Sequence, residues 1–209
     1  MNRLFNMNSP FWQFMSKITD LLILNVIFII SCIPVITIGT AISSLYYMCL
    51  KLKRNESPYI WKGYWKAFRE NFKQSTIIWL ISLVILYFLG MDYSILKLKS
   101  PDALTFSHVL IWLATAVFFS IFIYIFPIVS HFHCTLRQAV KNSFYMALGH
   151  LPFTLLLMVI FGGILFLTTI TPKLTAMIMV LGMLCGFSVV TYLVCGIFDH
   201  IFKKYEPTI

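Results

Sequence analysis

Charge is scarce in this sequence, and negative charge is scarcest. Only 11% of the residues are Asp, Glu, Lys or Arg, where a soluble domain carries about 25%. Seven are acidic. Asp20, Asp92, Asp102 and Asp199 flank apolar stretches, while Glu56, Glu70 and Glu206 fall in connectors or the tail. Ionisable groups at membrane depth mark proton and ion paths, and these carboxylates lie at the edges instead.

Other absences narrow the chemistry. Cys32, Cys49, Cys134, Cys185 and Cys195 form no Cys-x-x-Cys pair, and four lie in apolar runs where a free thiol behaves as a small hydrophobe, so no disulfide framework is expected. Residues 1–20 hold Arg3 and Lys17 but no small-residue cleavage site after a short apolar core, so the first hydrophobic segment is expected to stay in the mature protein. There is no G-x-S-x-G, no H-E-x-x-H and no phosphate-cradling glycine loop. Ser130 and His131 are neighbours in sequence, which is not the geometry of a catalytic triad. His131, His133 and Cys134 resemble part of a zinc site. The two histidines are not i, i+4 and no fourth ligand is near, so they read as side chains at a helix end, as do His108, His150 and His200. No cofactor is expected.

What is present is hydrocarbon. Hydrophobic residues make up 60% of the chain, too many for the surface of a water-soluble globule, whereas lipid accepts apolar side chains at no cost. Five windows hold no Asp, Glu, Lys or Arg: Leu21–Leu50, Gln74–Met91, Ala103–Leu136, Asn142–Pro172 and Leu174–Phe198. A spanning helix needs about 20 apolar residues. The first window would reach roughly 45 Å as one helix, against a hydrocarbon core of about 30 Å. Pro34 and Gly39 stand in its middle and favour a break. It reads either as one kinked span or as a helical hairpin.

Loop charge favours the hairpin. Lys51, Lys53, Arg54, Lys62, Lys66, Arg69 and Lys73 crowd one connector, and such loops stay in the cytoplasm. A hairpin puts thirteen Lys or Arg inside and three outside; a single span gives eleven and five. The expected fold is therefore an all-α transmembrane bundle of five to six helices in one domain, 1–209. The helices fall at about 9–33, 37–53, 74–93, 105–130, 146–170 and 174–198, with connectors at 58–73 and 135–149 and both termini cytoplasmic. Thr37, Thr40, Ser43 and Ser44 make the second helix only mildly apolar, so a helix that merely dips into the bilayer is the alternative there.

The first connector is amphipathic. Trp61, Tyr64, Trp65, Phe68 and Phe72 recur at helical spacing, and Lys62, Lys66, Arg69 and Lys73 recur on another face. Such a helix lies in the interface, rings toward acyl chains and cations toward anionic headgroups. The plain alternative is a topology anchor; the sharper one is a docking surface for a partner. The second connector repeats the pattern weakly, Ala67-Phe68-Arg69-Glu70-Asn71-Phe72 aligning with Ala139-Val140-Lys141-Asn142-Ser143-Phe144. Residues 139–149 are also loosely like the coupling helix of an importer permease but lack its acidic-Ala-Ala opening. Asn25 reads as polar glue between helices, and Gly182 and Gly186 as a small-residue face for close packing.

The blocks Asn6-Met7-Asn8-Ser9-Pro10-Phe11-Trp12, Asp20-Leu21-Leu22-Ile23-Leu24-Asn25, Pro34-Val35-Ile36-Thr37-Ile38-Gly39-Thr40-Ala41, Leu45-Tyr46-Tyr47-Met48-Cys49-Leu50-Lys51-Leu52 and Phe68-Arg69-Glu70-Asn71-Phe72-Lys73-Gln74 resemble the YesL-like family of bacterial membrane proteins in order and spacing. That family has no assigned function and occurs mainly in Gram-positive bacteria. Its genes often lie beside those for carbohydrate uptake, carbohydrate degradation and two-component sensing. The resemblance implies a cytoplasmic-membrane protein linked to sugar import and carries no catalytic residue.

The leading expectation is a non-enzymatic accessory or regulatory membrane protein attached to a sugar importer or sensor kinase. The rival is a small permease for a polar solute, its path lined by Asn25, Thr37, Thr40, Ser43 and Ser44. An enzyme dependent on His131 or Cys134 ranks last. Nucleic acid is not an expected partner, because the cations behind the net charge of +9 flank spans and face lipid headgroups.

Overall fold

The computed structural model describes residues 10–56, 59–99, 106–132 and 134–205. Arg3, Ser9, Pro58, Asp102, Thr105, His133 and Glu206 lie outside the described residues. Among those described, every regular element is helical: α1 (Pro10–Cys32), a short 3₁₀ turn (Val35–Thr37), α2 (Ile38–Lys53), α3 (Ile60–Lys99), α4 (Phe106–His131), α5 (Leu136–Gly149) and α6 (Leu151–Ile170). The last helix, α7 (Pro172–Phe202), winds as π-helix over Gly182–Gly186. All but α5 are long and apolar enough to cross a membrane.

The long first window is a hairpin. Pro34 lacks the N–H that would continue α1, and the chain turns through the 3₁₀ element. Thr37 closes the turn: its backbone N–H donates to the Pro34 carbonyl (3.0 Å), and its hydroxyl reaches the Ser31 and Pro34 carbonyls (2.7 Å each). At the other end α2 stops at Asn55, which has φ 57°, a left-handed conformation that Asn tolerates better than most residues.

The least apolar membrane helix is the central one. α2 is packed by α1, α3, α4 and α7, and 61% of its apolar stretch is buried, against 11% in α6. The reason is geometric. A helix enclosed by neighbours needs small side chains so that backbones can approach, whereas a helix facing lipid needs hydrocarbon. Gly39, Thr40, Ala41, Ser43 and Ser44 are all buried. At Gly39 a Cβ would stand 2.5 Å from Trp79 Cβ and 2.6 Å from the Ser75 carbonyl oxygen, so α2 and α3 touch at backbone distance.

The first connector is not a separate helix. Residues 60–73 are the opening turns of α3, which runs unbroken for 40 residues, about 60 Å. Its buried stripe, Ile60, Tyr64, Ala67, Ser75, Ile78 and Ser82, keeps helical spacing through the junction, and no proline interrupts it. The second connector is divided from its span. His150 takes a non-helical conformation (φ −125°, ψ 47°) and Pro152 sits in the first turn of α6, where a missing N–H costs nothing. Thr135 and Gln138 form a capping box at the start of α5. Two aligned pairs share their exposure: Ala67 and Ala139 are fully buried, and Phe72 and Phe144 are each 39% exposed.

Candidate functional site

The opening turns of α3 carry an aromatic and cationic surface. Burying Ile60, Tyr64 and Ala67 against the bundle turns Trp61, Trp65, Phe68 and Phe72 to the flank of that stripe. Their rings form a ladder, with centroids 6.0 Å apart for Trp61–Trp65, 5.2 Å for Trp65–Phe68 and 5.8 Å for Phe68–Phe72. Tyr64 is wholly enclosed and backs the ladder through stacking on Phe68 at 6.2 Å. Trp61 is 61% exposed. The cations follow the same helix: Lys62 lies over the Tyr59 ring at 5.9 Å, and Lys66 meets Glu70 at 4.0 Å, an exposed pair worth little to stability. Two shallow surface grooves run between Trp61 and Glu70 and between Trp65 and Lys73. Four cations and one carboxylate, Glu70, face them.

The polar residues of the hairpin are engaged inside the bundle. Asn25 is fully buried. Its amide donates to the Gly182 (3.1 Å) and Met183 (2.9 Å) carbonyls, and its carbonyl oxygen accepts from the Ser188 N–H at 3.1 Å. Ser188 Oγ donates to the Leu21 carbonyl at 2.8 Å. A π-turn leaves backbone groups unmatched, and Asn25 meets them. Gly186 fits the same turn: a Cβ there would stand 2.9 Å from the Leu181 carbonyl oxygen. At Gly182 a Cβ would meet the Phe187 ring at 3.2 Å. Thr40 Oγ1 pairs with Thr76 Oγ1 at 3.0 Å, and Ser44 Oγ donates to the Thr40 carbonyl at 2.8 Å. Ser43 is enclosed, its hydroxyl without a hydrogen-bond partner among the described residues. Thr37 closes the turn.

The cavity beside these residues, about 570 Å³, is apolar, with Phe28, Ile42, Phe122, Phe161, Met183 and Phe187 among its walls. A polar solute would find almost nothing there to replace its water, and of the residues expected to line a polar path, Asn25, Thr37, Thr40 and Ser44 are spent on helix contacts and the turn. Among the described residues no three His, Cys, Asp or Glu side chains group as metal ligands. His131 stacks on Phe202 at 5.1 Å, and the Cys134 carbonyl accepts from Gln74 at 2.9 Å.

Two features escape the sequence reading. Asp199 joins Arg54 Nε (2.7 Å) and Lys203 Nζ (2.8 Å); the i, i+4 spacing of Asp199 and Lys203 was the only visible hint. Trp79 donates its indole N–H to the Val35 carbonyl at 2.9 Å, a contact across 44 residues that no local pattern announces.

Long apolar helices, a polar centre and a basic aromatic flank define an all-helical, multi-pass membrane protein. Residues 21–93 match the family described as "Protein of unknown function, DUF624", to which YesL-like proteins belong. The match covers the second half of α1, all of α2 and α3 as far as Tyr93, so it contains the turn of the hairpin and the ladder. No curated protein and no solved structure matches the chain.

Proposed function

We propose that this is a non-enzymatic accessory or regulatory protein of the bacterial cytoplasmic membrane that docks a membrane-protein partner through the ladder on α3. The basic segment and both termini face the cytoplasm, in line with the excess of Lys and Arg on that side. The partner belongs to carbohydrate uptake or its sensing, the setting that the YesL-like resemblance implies. One observation carries the docking role: Trp61, Trp65, Phe68 and Phe72 stand in a continuous row, flanked by Lys62, Lys66, Arg69 and Lys73, on a helix whose other face is already used. Aromatic residues backed by Arg are the side chains that anchor protein interfaces, and the continuity of α3 ties this surface rigidly to a membrane span.

The test is photo-crosslinking in native membranes from probes at Lys62 and Phe72. A discrete protein adduct, lost when Trp61 and Trp65 are both replaced by Ala, is the expected result. Adducts to phospholipid alone, under conditions with and without an inducing sugar, would reduce the ladder to an interfacial anchor.

A further inference from the structure

We infer that the α1–α2 hairpin is re-entrant: it enters the bilayer and turns back inside the hydrocarbon, so its tip, residues 33–37, touches acyl chains and never reaches the opposite aqueous surface. The proposal concerns membrane placement and stands apart from the docking role of α3.

The first observation is register. Val35 is held by Trp79 through the indole hydrogen bond, and Gly39 lies against the Trp79 Cβ and the Ser75 carbonyl. The tip is therefore level with Trp79, while α3 continues twenty residues further, to Lys99, about 30 Å along the helix.

The second observation is composition. Ile33, Val35 and Ile36 are 76%, 61% and 58% exposed, and Pro34 is exposed between them. A tip standing in water would leave four adjacent apolar residues bare, whereas hydrocarbon accepts all of them without cost.

The third is backbone accounting. In lipid every main-chain polar group must find a partner within the protein. At the tip the Ile30 carbonyl accepts from the Ile33 N–H, the Pro34 carbonyl from the Thr37 N–H, the Ser31 carbonyl from the Thr37 hydroxyl and the Val35 carbonyl from Trp79. A turn in water could leave these groups to solvent. The four carbonyls named are met internally, although the side chains around them are exposed.

Four helices, α3, α4, α6 and α7, then cross the membrane, and the even number keeps the two ends of the chain on one side. The polar centre of the hairpin, Thr40, Ser43 and Ser44, is covered by neighbouring helices, and its tip meets lipid.

Single substitutions Ile36→Cys, Glu56→Cys and Lys173→Cys test this in native membranes, scored against the unmodified chain. A membrane-impermeant maleimide is offered to each face in turn, using right-side-out and inside-out vesicles. Glu56→Cys and Lys173→Cys should label from opposite faces, and Ile36→Cys from neither. A permeant bimane on Ile36→Cys, reconstituted in lipid brominated along its acyl chains, should be quenched. Labelling of position 36 from the face that labels position 173 overturns the proposal, and so does a bimane that bromolipid leaves unquenched. Val35→Cys serves in the same assay should Ile36→Cys fail to accumulate.

Discussion

The side-chain carbonyl of Asn25 accepts the backbone N–H of Ser188 at 3.1 Å, while its amide holds the Gly182 and Met183 carbonyls, so one buried amide joins α1 to the π-turn of α7. Replacing Asn25 with Leu strands those backbone groups in an apolar setting, at a cost of about 1–3 kcal/mol. Asn25→Leu should lower the melting temperature of the detergent-solubilised protein, and Asn25→Asp, which loses both donors, should not rescue it. An unchanged melt for Asn25→Leu would show that the contact contributes nothing.

Asp199 is the common acceptor of Arg54 and Lys203 at the end of the bundle where α2 meets α7. Its side chain is 12% exposed, that of Lys203 64%. Removing the enclosed carboxylate leaves two cations facing each other, whereas removing the exposed lysine loses a screened pair. Asp199→Asn should therefore destabilise by more than Lys203→Ala, about 1–2 kcal/mol against a few tenths, measured by thermal or denaturant unfolding. Equal effects would contradict this division of labour.

Gly39 has no room for a methyl group, since the Trp79 Cβ and the Ser75 carbonyl oxygen already occupy its place. Neither neighbour is the end of a flexible chain, so Gly39→Ala must part α2 from α3, with an overpacking cost of about 1–3 kcal/mol. The expected readout is a lower melting temperature, together with faster hydrogen exchange over Ile38–Leu45. Gly90→Ala is the control, because a Cβ there meets nothing within 4 Å, and it should be neutral or slightly stabilising.

His150 sets a pH dependence on the C-terminal segment. Its Nε2 lies 3.2 Å from the Tyr205 hydroxyl, and burial, then Lys204, then His200 hold its pKa below the ordinary 6.5. A histidine whose folded pKa is lowered contributes stability that is complete above the unfolded value and is lost as pH falls, because the undocked segment binds the proton more readily. Hydrogen exchange at Lys203–Tyr205, corrected for intrinsic rates, should speed up as pH falls from about 7 through the ordinary histidine range. His150→Phe should remove most of that dependence; an equal dependence in the variant would assign it to another group.

Much of this molecule is written in local pattern. The charge-free windows around α4, α6 and α7 show helices in lipid, because hydrocarbon length and hydropathy are properties of a segment alone. Pro34 and the crowded cations after it announce a hairpin, and the period of Trp61, Trp65, Phe68 and Phe72 shows one helical face. The match of residues 21–93 to a family of unknown function agrees with the blocks visible there and adds no chemistry.

Other features depend on neighbours distant in sequence. The small polar residues of α2 read as a mark of shallow insertion, and the four helices around it give a second reason for them, because a crowded centre needs small side chains. The fusion of residues 60–73 into α3 depends on a buried stripe that only the facing helix defines, and Asn25 finds its role only once the π-turn is beside it. Local sequence determined which segments prefer lipid and which face of each is apolar, since each residue's transfer energy acts on its own. Tertiary structure alone decided which helices enclose the hairpin and which polar groups meet, because enclosure and pairing are relations between helices.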